Sequence, residues 1–473
     1  MQMISLIFIS ITYIYGNIFQ GNTLFTPVNG NDDSIITILM NNEFEYIHTW
    51  HHNNGPASMP YLLPDSTLIY PYRVPHPTMD AGGVGGGIQA LNWNNDILWD
   101  YTFSNEIYQH HHDIEPMPNG NILIIVWEMK TAEEAYALGR QFVNNDINQV
   151  WSSAILEIET NSGNIVWEWH LWDHFIQDVD PNLPNYGIIS EHPELFDINC
   201  GDIGSNSGGP MHANGDWLHL NSVHYNSDLD QIIISSRTQN EIYIIDHSTS
   251  TQEAASHTGG NSGKGGDFLY RWGNPSNYNR GTETNNILNS QHSVNWINNG
   301  YPGEGNIIIF NNFHNDASTS VIEIIPPLNE VGTYDINHGL PYGPETWQWI
   351  YSGNITTPMQ GGAFRLPNGN TIITQTHTSK IIEVSYDGDL LWEYIHESQA
   401  GSSWIARAQK YEIDYLLSNN TDLNNDGITN ILDIIFLSNI ILESNTNNNS
   451  QFDLNNDGYY NILDIITLIS YIL

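Results

Sequence analysis

Residues 165–171 read Ile165-Val166-Trp167-Glu168-Trp169-His170-Leu171: an aliphatic start, an aromatic, one polar residue, a second aromatic. Apolar and polar residues alternating with period two mark a strand with one face buried. The same step returns at Ile97–Phe103 (ILWDYTF), Phe268–Asn274 (FLYRWGN), Thr346–Tyr351 (TWQWIY) and Leu390–His396 (LLWEYIH), with a degenerate copy at Phe44–Trp50 (FEYIHTW). A second pattern, Pro-Asn-Gly-Asn followed by aliphatics, occurs at Pro118–Ile125 and Pro367–Ile373, and loosely at Pro302–Ile309. Asn-Gly is a strong hairpin signal, because both turn positions tolerate positive φ. Between the two patterns runs an aliphatic strand carrying a glutamate, as in Ala154–Ile158, Val321–Ile325 and Ile381–Val384.

Six aromatic steps predict six blades of a β-propeller over residues 40–417, in an all-β fold. That is about 63 residues per blade, against the ~40–50 of compact propeller repeats. The surplus falls in long loops, notably 171–216 and 247–267, and loops on a rigid scaffold are where function concentrates. A β-sandwich is the structural rival, but sixfold recurrence favours radial repetition.

The 473-residue chain carries 11 Lys+Arg against 53 Asp+Glu, a formal net charge of −42, which excludes a nucleic-acid partner by long-range repulsion. With 15 Trp and 25 Tyr it has ample material for a core. Cys200 is the only cysteine, so no intramolecular disulfide forms. Residues 1–16 form an apolar run ending at Gly16, too short to span a membrane and read as a secretory signal, although its start lacks Lys and Arg. The expected location is therefore secreted, periplasmic or cell-surface, with no membrane span elsewhere.

Near the C-terminus two segments almost superimpose: Asp422-Leu-Asn424-Asn-Asp426-Gly427-Ile428-Thr-Asn430-Ile-Leu-Asp433 and Asp453-Leu-Asn455-Asn-Asp457-Gly458-Tyr459-Tyr-Asn461-Ile-Leu-Asp464. Oxygen ligands at positions 1, 3, 5, 9 and 12, a glycine at 6 and a backbone carbonyl at 7 (Ile428, Tyr459) match calcium-loop geometry, giving two structural Ca²⁺ sites. Asp at position 12 and a single apolar helix after each loop resemble the type I dockerin, here a small all-α domain over 419–473. That resemblance implies a cohesin or cell-surface partner. Ile431, Leu432, Ile462 and Leu463 occupy the positions where dockerins often read their partner, and all four are aliphatic.

Further motifs run collinearly through the propeller: Gly215–Val223 (GDWLHLNSV), Ile232–Arg237 (IIISSR), Gly265–Pro275 (GGDFLYRWGNP), Arg280-Gly281-Thr282, Gln291-His292-Ser293, and Phe364–Thr371 (FRLPNGNT) with Ile382-Glu383-Val384 after it. Together they resemble the arylsulfate sulfotransferases over roughly residues 40–415. The resemblance implies a six-bladed propeller that moves a sulfuryl group from a phenolic sulfate ester to a phenol. It implies a transient sulfo-histidine and no nucleotide cofactor. It places active-site histidines at His219 and His292 and a nucleophile at His377. His112, within the run His110-His111-His112-Asp113, is an expected further substrate contact, with a metal-free polar loop as the alternative; three adjacent strand histidines alternate faces and cannot all meet one ligand. Arg237, Arg271 and His314 are expected substrate contacts, and Arg365 follows a family motif equally compatible with an inter-blade contact. The family arginine expected after Ile307–Phe310 is missing from Asn311–Val321, which leaves a catalytically inactive propeller binding sulfated or aromatic ligands as the alternative. A quinone-dependent oxidoreductase and a purely structural surface protein are weaker readings.

Overall fold

The computed structural model describes residues 17–29, 35–207, 212–315, 318–397, 403–416, 423–424, 430–442, 452, 454 and 459–472; the proposed signal, residues 1–16, lies outside them. Six four-stranded antiparallel sheets make a six-bladed propeller. The N-terminal strands are β1 (Gly21–Asn29), β2 (Ile35–Met40) and β3 (Tyr46–His52). The next blade holds β4 (Tyr61–Leu62), β5 (Leu68–Arg73), β6 (Gly86–Leu91) and β7 (Ile97–Thr102), and the one after it β8 (Tyr108–Pro116), β9 (Ile122–Thr131), β10 (Gln149–Ile158) and β11 (Ile165–His170). A short parallel pair, β12 (Phe175–Ile176) and β13 (Phe196–Asp197), folds part of the long insert. Then come β14 (Leu220–Asn226), β15 (Gln231–Ser236), β16 (Glu241–Asp246) and β17 (Tyr270–Trp272), followed by β18 (His292–Trp296), β19 (Ile307–Asn315), β20 (Ser318–Ile324) and β21 (Trp349–Tyr351). The last full blade is β22 (Gly362–Arg365), β23 (Thr371–Gln375), β24 (Lys380–Val384) and β25 (Leu390–Ile395), and β26 (Ser403–Glu412) pairs with β1 to close the ring. First strands of neighbouring sheets touch one another, β8 with β14, β14 with β18, β18 with β22 and β22 with β26, so they line the central axis.

The blades begin at Gly21, ahead of residue 40. Pro27 hides the first strand from the sequence pattern: it has no N–H to offer and sits at a register shift in the pairing with β26.

The aromatic step has one job in every blade. Its Trp or Tyr, on the fourth strand, donates to the turn before the fourth strand of the following blade. Trp50 donates to Asn92 O (3.1 Å), Tyr101 to Thr160 O (2.9 Å), Trp167 to Thr249 Oγ1 (3.3 Å) and Trp272 to Pro344 O (2.8 Å). Trp349 then donates to Tyr386 O (2.6 Å) and Trp392 to Asn42 O (3.0 Å), completing the circle. The strand glutamates act similarly: Glu157 takes His247, Glu323 takes Arg365 and Glu383 takes Lys410 from the neighbouring blade. Apolar cores fill the wedges between sheets, for example Ile88, Ala90, Ile124, Val126 and Leu156.

Candidate active site and calcium tail

Three axis-lining strands carry a bulge at the same end of the channel. Register shifts fall between His110 and Ile114 in β8, Leu220 and Ser222 in β14, and His292 and Val294 in β18. Next to or within these shifts, His112 (φ 55°), His219 (φ 51°) and Ser293 (φ 51°) take left-handed backbone, a region costly for residues with a Cβ. Bulges re-aim side chains beside functional sites, and here they turn three histidines toward the axis. The His112 and His219 rings meet edge-on at 4.6 Å. His112 and His292 line a small cavity of about 20 Å³ with Asn221, Ser293, Gln360 and Arg407.

Each histidine is held by a definite partner. Asn312 points both amide hydrogens at carbonyls, Thr357 O (2.7 Å) and Gln360 O (2.8 Å), so its Oδ1 faces His292 Nδ1 at 2.8 Å as an acceptor. His292 therefore carries its proton on Nδ1, and Nε2 keeps a lone pair that accepts the Gln360 N–H at 3.3 Å. Burial holds His292 neutral, with its pKa down at about 3; the Asn312 bond opposes this, and the charges of Arg237 and His219 add to it. His219 Nδ1 pairs with Asp216 Oδ2, while the other Asp216 oxygen takes the Trp127 indole N–H at 2.9 Å. His112 Nδ1 lies 2.9 Å from His111 Nδ1, and His111 stacks on Trp127. Burial, then the neighbouring His219, pushes His112 well below its usual range.

Arg237 follows β15, and its backbone N–H donates to His219 O at 3.3 Å. It is half-buried, and burial draws its pKa down against the opposing charge of Asp216. Among the described residues, it is the one arginine whose guanidinium has no hydrogen-bond or ion-pair partner. Deeper in the channel Arg407 is neutralised by Asp113 and bonded to Ser58 Oγ at 2.8 Å.

Three expected contributors, Arg271, His314 and His377, lie elsewhere, and so does Arg365. Arg271 is fully buried, bidentate on Glu241 (Nε 2.9 Å, Nη2 2.6 Å) and stacked over Tyr278, so it is an internal brace of its blade. Arg365 is likewise consumed by Glu323. His314 sits on the long β19–β20 hairpin with its ring edge-on to Trp347. His377 is exposed on the 3₁₀ turn Thr376–Thr378 between β23 and β24, and no hydrogen bond or ring contact joins it to His112, His219 or His292 among the described residues. The sequence reading missed Asp216 and Asn312. Asp216 lies three residues before His219 in the quoted motif, and Asn312 lies in the stretch searched for an arginine. It also missed Gly82 and Gly83, where an added Cβ would stand 3.3 Å from His219 Cε1 and 2.0 Å from His112 Cε1. The glycine-rich run Ala81–Gly87 was the available signal: only residues without side chains let that loop lie against the two rings.

In the tail, α3 (Ile431–Leu442) and α4 (Ile462–Ile472) pack through Leu423, Leu437, Leu454 and Leu468. (The short helices Ala132–Ala137 and Thr251–Ala254 are α1 and α2.) Asp433 is buried and accepts the N–H groups of Asn424 (3.1 Å) and Asn430 (2.8 Å). Asp464, equally buried, accepts those of Leu454 (2.8 Å) and Asn461 (2.6 Å). These carboxylates draw each loop around itself, as the twelfth ligand of a calcium loop must. Asp422, Asp426, Ile428, Asp453, Asn455 and Asp457 lie outside the described residues. No helix among the described residues is long and apolar enough to cross a membrane.

Fold and site define a six-bladed propeller with a histidine-lined channel and a duplicated-loop helical tail. The arylsulfotransferase family model matches residues 95–333, and the chain belongs to that family. The dockerin type I model matches residues 420–473, and dockerins of this type bind calcium. None of the curated proteins matches the sequence. Solved structures that align with this chain include a Bacteroides caccae protein of unknown function (10% identity, TM-score 0.42, covering 83% of this chain and 98% of that one). Another is a putative 6-phosphogluconolactonase from Bacteroides fragilis (11%, 0.40, 83% and 98%). A third is the virginiamycin B lyase of Staphylococcus aureus (11%, 0.36, 81% and 99%).

Proposed function

We propose that the propeller is an aryl-sulfate sulfotransferase acting without a nucleotide donor, with His292 as the nucleophile in place of His377. The observation that carries this reading is the unpartnered Arg237 guanidinium beside three converging histidines in a chain of net charge −42. A guanidinium with no hydrogen-bond or ion-pair partner among the described residues, in so acidic a protein, suits an anionic substrate. His292 Nε2 attacks sulfur, an N–S bond forms and the S–O bond to the aryl group breaks. His219, its Nδ1 on Asp216, gives a proton to the departing phenolate. In the second half the acceptor phenol returns that proton to His219, its oxygen attacks sulfur, and neutral His292 is released. Arg237 and His112 steady the sulfuryl oxygens. A neutral imidazole avoids bringing two anions together in either step.

The test is to incubate the protein with a chromogenic aryl sulfate, with and without phenol, and isolate the acid-labile sulfo-enzyme. His292→Ala abolishes both the intermediate and turnover, whereas His377→Ala keeps them. A sulfo-enzyme that survives in His292→Ala overturns the assignment. Absence of cleavage by the wild-type chain favours the inactive ligand-binding propeller.

We further infer that the tail holds two Ca²⁺ ions, through Asp422, Asn424, Asp426, Ile428 O, Asn430 and Asp433, and through Asp453, Asn455, Asp457, Tyr459 O, Asn461 and Asp464. It docks the secreted protein onto a cohesin-type partner. Ile431, Leu432 and Ile435 on α3 and their counterparts Ile462, Leu463 and Ile466 on α4 are all about half exposed or more, a duplicated aliphatic surface suited to a protein partner. Loss of cohesin binding in Leu432→Asp/Leu463→Asp tests it.

A further inference from the structure

A second cluster lies away from the channel, where the insert after β11 meets the loop between β16 and β17. His174 follows the 3₁₀ turn Leu171–Asp173, while His257 and Asp267 stand on the segment after α2. His174 Nδ1 and His257 Nδ1 each approach Asp267 Oδ1 at 2.8 Å, and the two rings are 5.9 Å apart. The three potential ligand atoms all lie within 4.8 Å of one another.

The surroundings of His174 fix how it presents its nitrogens. Its Nε2 lies 2.9 Å from Ala254 O, which only accepts, so the proton sits on Nε2. Nδ1 is then left with a lone pair, facing a carboxylate oxygen that also has only lone pairs to offer. At 2.8 Å the pair needs positive charge at that place, either a second proton on Nδ1 that makes His174 an imidazolium donating to Asp267, or a metal ion. A carbonyl on the far nitrogen is the usual outer support of a histidine bound to metal, because it sets tautomer and ring angle together. The seat is built around this ring: His174 is fully buried and stacks parallel to Trp169. A Cβ on Gly266 would come within 2.7 Å of its Nε2 and 2.0 Å of Ala254 O, so only glycine fits there. Asp267 is nearly buried, while His257 is 59% exposed, which leaves one side open to solvent.

We propose that His174 Nδ1, His257 Nδ1 and Asp267 Oδ1 bind one divalent transition-metal ion of the zinc class, with the fourth position open to water. Two imidazoles and a carboxylate are a suitable donor set for Zn²⁺ with one open position. The ion ties together the two long inserts, 171–216 and 247–267, which share no strand pairing among the described residues. The site uses none of the residues of the proposed sulfuryl-transfer centre.

The experiment uses the full chain with calcium kept in excess, stripped of other metals and then titrated with Zn²⁺ or Co²⁺. The wild-type chain retains one Zn²⁺ more than His257→Ala or Asp267→Asn, and bound Co²⁺ gives a visible spectrum of four-coordinate N₂O₂ type. Zn²⁺ raises the thermal midpoint of the wild type but not of the variants, as expected for a ligand held only by the folded state. His257→Ala removes a mostly exposed side chain, so its fold is preserved even where Asp267→Asn is destabilised. The proposal is overturned if the wild type takes up neither ion at micromolar concentration. It is equally overturned if His257→Ala binds Zn²⁺ and Co²⁺ as the wild type does, which would place the ion elsewhere, in the channel or the tail.

Discussion

His292 gives its Nδ1 proton to Asn312 Oδ1 across 2.8 Å, and Asn312 has no freedom to turn because both its amide hydrogens are already spent on carbonyls. The nitrogen proposed to attack sulfur is thus left with its lone pair by the hydrogen bond that Asn312 makes at the other one. Asn312→Ala should lower kcat by about tenfold to a hundredfold with little change in KM, since the ring loses its fixed tautomer and angle. Asn312→Asp, which keeps an acceptor at the same place, should recover part of the loss. Steady-state kinetics of the two variants decide this, and equal loss in both would reduce Asn312 to a packing residue.

Arg237 and Arg271 should separate cleanly. Arg271 is consumed by Glu241 in the interior, and truncation leaves a buried carboxylate without its counter-charge, a cost of about 3–5 kcal/mol. Arg237 has no hydrogen-bond or ion-pair partner among the described residues, so Arg237→Ala should leave the unfolding midpoint nearly unchanged. It should slow sulfuryl transfer by ~10²–10³, as for a lost preorganised charge. Denaturant unfolding and aryl-sulfate turnover, measured on both variants, would contradict the assignment if the two effects were exchanged.

The fold was legible because the aromatic step is not a generic strand. It marks the fourth strand, whose Trp or Tyr must reach the next blade, so each copy in the sequence announces one blade. The ring closure was less legible: β1 and β26 are almost a whole chain apart, and Pro27 blurs the local alternation. The structure brings His219 and His292 together in the channel and leaves His377 on an exposed turn. Linear order cannot distinguish the start of an axis-lining strand from the turn between second and third strands, which sits on the rim. Arg237, eighteen positions after His219 in the sequence, reaches the site because β15 runs back alongside β14.

Buried neutral histidines should make the propeller acid-sensitive. Burial holds His52, His110 and His292 at about 3 and His224 at about 4, against an ordinary 6.5. Between those values and 6.5 the unfolded chain binds protons that the folded chain refuses. The stability these rings contribute is therefore complete above about pH 6.5 and is lost as pH falls from there toward 4 and 3. His52 is the ring to remove: it lies far from the proposed site, stacked 3.6 Å from Tyr70 and bonded to Thr37 Oγ1 at 2.8 Å. His52→Gln should give a shallower fall of thermal midpoint between pH 6.5 and 4 than the wild type, whatever its midpoint at neutral pH. An unchanged slope would show that His52 is already protonated in the fold.

Calcium should govern the tail and leave the propeller alone. Asp433 and Asp464 are fully buried at the starts of α3 and α4, and the remaining loop carboxylates repel one another when no cation balances them. Chelation should therefore melt both helices, and readdition of Ca²⁺ should restore them, seen as a reversible far-UV circular dichroism change in a chain comprising 417–473. The propeller has its own closure: β26 ends at Glu412, Tyr411 OH accepts from Leu62 N–H at 3.0 Å, and Tyr415 and Leu416 pack against the N-terminal blades. A chain ending at Leu416 contains every one of these contacts. It should unfold at the same temperature as the propeller transition of the full protein, with or without chelator, and transfer sulfuryl groups at the same rate. A dichroism signal of the tail indifferent to chelator would remove calcium from the argument. A truncated chain that melts earlier would move the boundary of the propeller past Leu416.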